Sequence, residues 1–497
     1  MTLAAPDGSP DGPGRNPSFL ANTAALVGAA AFSQIVGFAA MLVVARLYGP
    51  FEVGIFGLFN AIFTVAVFAA SWRYEMAIVT VDDDSEANDV ALFIVVSGLI
   101  SAAVATAVLV TVELFPTAVG LSAPLRRALA AIPLGLLFAS AILAGTNICI
   151  RQRRFARVAI HQIVLTGATA IAQVLLVSAD FPAGGLVGGF ILGQVCGLIV
   201  FAGALTPALA ASIRQSEPIR RLRAVATRHS GHFFYTVPYS LVTQLYYQMP
   251  VILLGSLVGA REAGFFSLAF RTTFTPITLV PTALAQVFFP EMVRNRDRLD
   301  EWEARLLALL VALGVLLAPA AAALIVFGPE IYASVLGEDW RTAGLFAQLL
   351  IAANLMNGLA TGYDRIYFIL GRQRAALIVT CLVLCLSSLL MLCAHWMGQP
   401  VAWIAGAWAL AHLAMAFAWM LTIYRIAGFS PSALVARWFV VGICVALLTA
   451  ALIATRLAVA GGEWTMLAAA SLVLAYAWVA WKVVHPLKKL LPQGTTP

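Results

Sequence analysis

Polar positions along most of the chain do not alternate with apolar ones. They interrupt long, continuous apolar runs. Runs of about 20 apolar residues match the length of a helix that crosses a bilayer core. Fourteen can be read, at about 19–45, 53–79, 90–112, 128–150, 158–179, 185–211, 233–256, 262–290, 305–327, 343–370, 376–396, 401–424, 437–458 and 463–483. In lipid, backbone polar groups are satisfied only by helices or closed barrels. Barrel strands alternate apolar and polar residues, which these runs do not. The pattern therefore predicts an all-α polytopic membrane protein with about 14 transmembrane helices.

Composition agrees with the pattern. Of the 497 residues 62% are hydrophobic and 11% charged, against about 45–50% and about 25% in soluble domains; the mean hydropathy is +0.93. The net charge of +7 follows membrane topology and does not suggest nucleic acid. With an even number of spans both termini share one side. That side collects 22 of the 30 Lys and Arg; the other side holds Arg46, Arg126, Arg127, Arg261, Arg341 and Arg456, and Arg271 and Arg365 fall inside spans. The positive-inside rule makes the richer side cytoplasmic. A multi-span protein with both termini in the cytoplasm is expected. The acidic stretch 81–89 (VDDDSEAND) lies on the same side, but acidic residues count little in this rule.

A repeat divides the chain. LYGPFEVGIFGL at 47–58 and LVGAREAGFFSL at 257–268 share Leu47/Leu257, Gly49/Gly259, Glu52/Glu262, Gly54/Gly264, Phe56/Phe266 and Leu58/Leu268. Arg151-Gln152-Arg153 recurs as Arg372-Gln373-Arg374. Both matches equate a span with the one six places later. Six is even, so the copies have one orientation. This is a parallel repeat about an axis along the membrane normal, a symmetry of secondary transporters, which bind substrate near the midplane between the halves. The expected organisation is a tail at 1–18, a six-helix bundle at 19–212, a basic amphipathic linker at 213–232, a second bundle at 233–427, two further helices at 428–484 and a tail at 485–497.

The six cysteines sit within apolar runs, beside no metal-ligand pattern, and read as small core residues. There is no phosphate-binding loop, no His-Glu-x-x-His and no nucleophile elbow. No loop is long enough for a catalytic domain. No enzyme activity, cofactor or metal is expected.

The segment Ala45-Arg46-Leu47-Tyr48-Gly49-Pro50, with Glu52, Gly54 and Arg73-Tyr74-Glu75-Met76-Ala77-Ile78-Val79, resembles the opening signature of the polysaccharide-transporter family. These are O-antigen and exopolysaccharide flippases of the MOP (MATE-like) exporter superfamily. The resemblance implies alternating access between two bundles around a cationic cavity. It implies an undecaprenyl-pyrophosphate-linked oligosaccharide as substrate, flipped across the inner membrane for O-antigen, capsule or exopolysaccharide synthesis. Membrane lipids, a polysaccharide polymerase, a chain-length regulator and H+ or Na+ are the partners it suggests. A lipid II flippase and a cation-coupled drug exporter of the same superfamily are the alternatives. A membrane-embedded enzyme would need carboxylate pairs, a His cluster or large outer loops.

An anionic headgroup needs fixed cations to lower the cost of crossing about 30 Å of hydrocarbon, and Arg binds phosphate bidentately. Arg271, deep in the eighth span, is the foremost candidate, against the bland reading of a buried ion pair. Arg365 and Asp364 read as a substrate and coupling pair or as a self-compensated one. Arg73 and Glu75 read as a gate or an interfacial belt, and Arg46 as a substrate contact or a snorkelling side chain. Tyr235, Tyr239 and Tyr246 share one face of the seventh span; they would stack on sugars or pack between helices. Gln34, Asn60, Asn354 and Asn357 read as interhelical polar contacts. Glu52 and Glu262 fall in first turns, where a carboxylate offsets the helix dipole.

Overall fold

The computed structural model describes residues 17–116, 120–178, 184–230, 237–294, 300–361 and 372–458, with single positions between 363 and 370 and at 471 and 476. Among them there is no strand. Thirteen long helices follow one another. They are α1 (Pro17–Leu47), α2 (Pro50–Ala70), α3 (Asp84–Leu114), α4 (Ile132–Arg151), α5 (Phe155–Leu175), α6 (Gly184–Arg214), α7 (Val237–Leu257), α8 (Ala260–Arg294), α9 (Asp300–Leu336), α10 (Arg341–Ala360), α11 (Gln373–Trp396), α12 (Val401–Ala427) and α13 (Pro431–Ala458). Eleven membrane-length apolar segments are found among the described residues, one of them α4 together with the short helix Ala123–Leu129 before it. α7 falls short because it carries more polar side chains, among them Gln244, Tyr246, Tyr247 and Gln248. The run at 463–483 lies outside the described residues.

Packing repeats with the sequence. α3 lies on α4 as α9 lies on α10, α4 on α6 as α10 on α12, α5 on α6 as α11 on α12, and α1 on α5 as α7 on α11. α1–α6 form one half and α7–α12 the other; α13 packs on α9. Pro50 at the first turn of α2 supplies the preset φ that starts it, and Glu52 sits in that first turn, as Glu262 does in α8.

α2 ends at Ala70, earlier than its apolar run suggests. Trp72 and Arg73 adopt left-handed φ of 50° and 60°, which turn the chain into a short 3-10 segment, Tyr74–Met76. Neither Gly nor Pro marks this turn. The acidic stretch that follows has a structural task. Asp83 caps α3 through the Ser85 amide. Asp84 pairs with Arg151 at 2.8 Å, Asp89 with Arg221 at 2.7 Å, and Glu86 with Arg228 at 2.9 Å and His229 at 3.1 Å. Arg221 and Arg228 belong to the linker helix Pro218–Arg228, whose Ala226 carbonyl also accepts the Tyr74 hydroxyl at 2.9 Å. The linker helix is thus fastened to the first half by the acidic residues that run against the local charge bias.

The halves meet chiefly through α2 against α8 and α7, with lighter contacts from α1 to α8 and α9. The seam is tight at the end that carries the α1–α2 and α7–α8 connections. A Cβ on Gly54 would lie 1.6 Å from the Ala260 carbonyl oxygen, and one on Gly264 would lie 2.1 Å from that of Pro50. These are the glycines the repeat equates, facing each other across the seam. Trp340 Nε1 donates to the Ala45 carbonyl at 2.8 Å, and Arg46 Nη1 to that of Val335 at 2.9 Å.

Candidate functional site

Behind this closed seam lies a cavity of about 530 Å³ between the halves. The first half contributes α1, α2, α5 and α6; the second contributes α8 through Ser267, Leu268, Arg271 and Thr275. Local packing sets the first-half wall. The Tyr48 hydroxyl donates to the Gln173 carbonyl at 2.8 Å, and Gln173 Nε2 donates to the Leu186 carbonyl at 3.0 Å, joining the ends of α1, α5 and α6. Gly189 and Gly193 of α6 let it approach α5, touching Gln173 and Thr169.

Arg271 is eleven residues into α8, about 16 Å along its axis at 1.5 Å per residue. That is roughly half of a 30 Å hydrocarbon layer. Its side chain is exposed, because it opens onto the cavity. Among the described residues it makes no hydrogen bond or ion pair, and no carboxylate lines the cavity. The site is therefore a largely apolar chamber with a wall of amides and hydroxyls and, among its described lining residues, one uncompensated cation, suited to an anion.

The other expected residues stand elsewhere. Arg46 ties the seam through Val335. Arg73 Nη1 lies 3.0 Å from Glu75 Oε1, with its guanidinium 5.2 Å from the centre of the Phe68 ring. Burial pushes the Glu75 carboxyl up, while the neighbouring Arg73 pulls it down. Neither residue lines the cavity. Tyr246 is 1% exposed and packs inside the second half, its hydroxyl against His412 Nδ1 and its ring stacked on Trp408 and His412. Tyr239 is half-buried in a different cluster of that half. Tyr235, Asp364 and Arg365 lie outside the described residues. Asn354 is buried, with its Nδ2 donating to Thr273 Oγ1 at 2.6 Å, a polar contact between helices. Gln34 and Asn60, read from sequence in the same way, line the cavity instead.

Sequence reasoning missed part of this wall. Gln162, Thr166, Thr169 and Gln173 all face the cavity, and their spacing of four, three and four residues marks one helical face. That spacing was visible in the fifth span. His412, whose Nε2 is buried with no partner among the described residues, carried no signal beyond being a histidine in an apolar run.

Two helical bundles in parallel repeat, enclosing a chamber closed at one end, define the class: a membrane transporter fold. The chain belongs to the polysaccharide biosynthesis protein family, whose profile matches residues 43–344, more than half of its length. Lipopolysaccharide biosynthesis protein WzxC of Escherichia coli (strain K12) is 24% identical over 120 residues, and the match spans 24% of each chain. The lipid II flippase MurJ in an inward closed conformation superposes with a TM-score of 0.69, covering 92% of this chain and 99% of its own at 14% identity. An inward-facing multidrug resistance MATE family transporter of the MOP superfamily gives a TM-score of 0.54, covering 81% and 94% at 15% identity. At these identities the two structures show a shared fold.

Proposed function

We propose that the chain flips an undecaprenyl-pyrophosphate-linked oligosaccharide across the bacterial inner membrane, for O-antigen, capsule or exopolysaccharide synthesis. The single observation that carries the reading is Arg271, a cation with no partner among the described residues, about half a bilayer's depth along α8 in a chamber between two halves. An unpaired guanidinium at that depth is costly unless an anion visits it. A pyrophosphate headgroup is such an anion, and the fork of the guanidinium matches its oxygens. Family membership supports the polysaccharide precursor as cargo. A cationic drug would instead be served by a carboxylate, and the described lining has none.

Each half moves as a body in this mechanism. With the α1–α2 and α7–α8 connections on the outer side, as the charge distribution suggests, the chamber is closed to the periplasm. Substrate enters from the cytoplasmic leaflet, its headgroup is neutralised by Arg271, and parting of the α2–α8 seam releases it outward. Arg271 lowers the charge barrier without chemistry, so no bond is made or broken.

The test is export of surface polysaccharide. A deletion strain should lose surface polymer and accumulate lipid-linked oligosaccharide in the inner leaflet, and the wild-type gene should restore export. Arg271→Ala and Arg271→Glu should fail to restore it at normal protein levels, while Arg271→Lys should restore part. Full export by the Glu variant would refute the role given to Arg271. A deletion that instead stops cell-wall synthesis would point to lipid II as cargo.

A further inference from the structure

We infer that the first-half wall of the chamber is a glycan subsite that selects an uncharged sugar at the pyrophosphate end of the substrate. The inference rests on the flippase reading and adds to it the class of sugar. Its basis is a set of hydrogen-bonding groups with nothing to bond. Gln162 Oε1 and Ser33 Oγ are buried and unpartnered. Gln194 is 8% exposed, and its amide makes no hydrogen bond among the described residues; the side chains of Gln34 and Asn60 make none either. Threonines elsewhere in the bundle turn their hydroxyls onto the carbonyl one turn back, as Thr64, Thr106, Thr243 and Thr273 do. Thr166 and Thr169 do not, although both stand on helix α5.

Buried polar groups are paired in the great majority of cases. Ser33 Oγ and Gln162 Oε1 are exceptions, and beside the cavity-facing amides and hydroxyls of the same wall they describe a surface that a polar ligand would satisfy. Amides offer a donor and an acceptor side by side, and hydroxyls can do either. A sugar presents the same mixture, hydroxyl by hydroxyl, so each can be satisfied. A uronic acid presents a carboxylate, which accepts only and carries charge. The one cation among the described lining residues is Arg271, and the pyrophosphate occupies it. A second anion on the amide wall would meet dipoles without a counter-ion, which is unfavourable away from water. The chamber is thus divided: charge recognition on α8, neutral recognition on α1, α2, α5 and α6.

The experiment measures binding by native mass spectrometry on the purified full-length chain, with three probes. They are undecaprenyl pyrophosphate, the same lipid bearing a neutral hexose oligosaccharide, and the same lipid with a uronic acid as its first sugar. The neutral glycan should bind at least tenfold tighter than the bare lipid, and the uronic acid form less than threefold tighter. In Gln162→Leu/Gln194→Leu the tenfold ratio should fall to near one. That variant should also melt no lower than wild type, because Gln162 Oε1 is buried without a partner and the Gln194 amide makes no hydrogen bond among the described residues. Gln194→Asn, which keeps an amide but withdraws it by one methylene, should lower the ratio by a smaller factor. A ratio unchanged in the double variant, or an equal gain from the uronic acid, overturns the subsite. Tight binding of the bare lipid with no gain from any glycan overturns the subsite alone. Failure of all three lipids to bind wild type overturns the flippase reading and the subsite with it.

Discussion

Gly54→Ala should drive the molecule out of the conformation described above. The added methyl would lie 1.6 Å from the Ala260 carbonyl oxygen, whereas ordinary contact begins at 3.4 Å. The helices must therefore part by roughly 2 Å, since a packed interior cannot absorb the overlap. The obstructing atom is backbone in the first turn of α8, not the free end of a side chain that could swing away. Overpacking of this kind costs about 1–3 kcal/mol, which changes a two-state equilibrium by about 5- to 150-fold. The overlap exists only while the α2–α8 seam is closed, so that factor falls on the closed state. Spin labels at Leu47 and Val335, in a background without the six native cysteines, would report the seam, because both positions are exposed and flank the Arg46–Val335 bond. Pulsed EPR in liposomes should show a longer-distance population that rises at least fivefold in the variant. Gly442→Ala is the control: nothing lies within 4 Å of a Cβ there, so the distances should stay put. Gly264→Ala should act like Gly54→Ala, its methyl meeting the Pro50 carbonyl oxygen at 2.1 Å. The double variant should fall short of the summed effects, because one parting relieves both overlaps. A folded Gly54→Ala protein with wild-type distances would refute the reasoning.

Two further outcomes concern stability. Tyr246→Phe and His412→Leu should each lower the stability of the detergent-purified protein by about 1–3 kcal/mol, since each leaves a buried partner unsatisfied. The pair together should lose less than the sum in thermal unfolding; strict additivity would mean the two do not share a bond. Asp89→Ala should remove about 3 kcal/mol, the low end for a buried pair because the Arg221 side chain is still 21% exposed. It should also loosen the linker helix, seen as faster trypsin cleavage at Arg220 and Arg223, and a wild-type digestion rate would argue that the Asp89–Arg221 pair does not fasten it.

What could be read from sequence was whatever the bilayer dictates. Lipid fixes helix length, so the long apolar runs that fall among the described residues return as helices. A charge inside such a run stands out, and Arg271 is conspicuous in the sequence for that reason. Features set by helix-to-helix contact were harder to read. The end of α2 at Ala70 is invisible in Ser71-Trp72-Arg73, because ordinary residues make the turn and only their φ angles betray it. Asp84, Glu86 and Asp89 looked anomalous on a basic side, and only the fold brings Arg151, Arg221 and Arg228 to meet them. A lone amide in a span looks the same whether it bonds a neighbouring helix, as Asn354 does, or faces a cavity, as Asn60 does. The periodicity of Gln162, Thr166, Thr169 and Gln173 carried more information than any one of them, and α6 supplies Gln194 opposite that face.

The repeat itself explains why one glycine motif appears twice. Under an axis along the membrane normal, the start of α2 in one half is equivalent to the start of α8 in the other, and both lie beside the axis. Any residue at that place meets its own counterpart's surroundings. Gly54 approaches Ala260, the equivalent of Pro50, and Gly264 approaches Pro50. The contact is self-complementary, like an isologous dimer interface within one chain. A Cβ at either position is excluded for the same reason, so the two glycines are one constraint written twice. The chamber does not share that symmetry: α1, α2, α5 and α6 give it a wall of amides and hydroxyls, while α8 alone gives it the cation. A seam that is symmetric can close and part as a unit. A chamber that is asymmetric can hold a substrate whose two ends differ, with the charged headgroup toward α8 and the sugar toward the opposite wall.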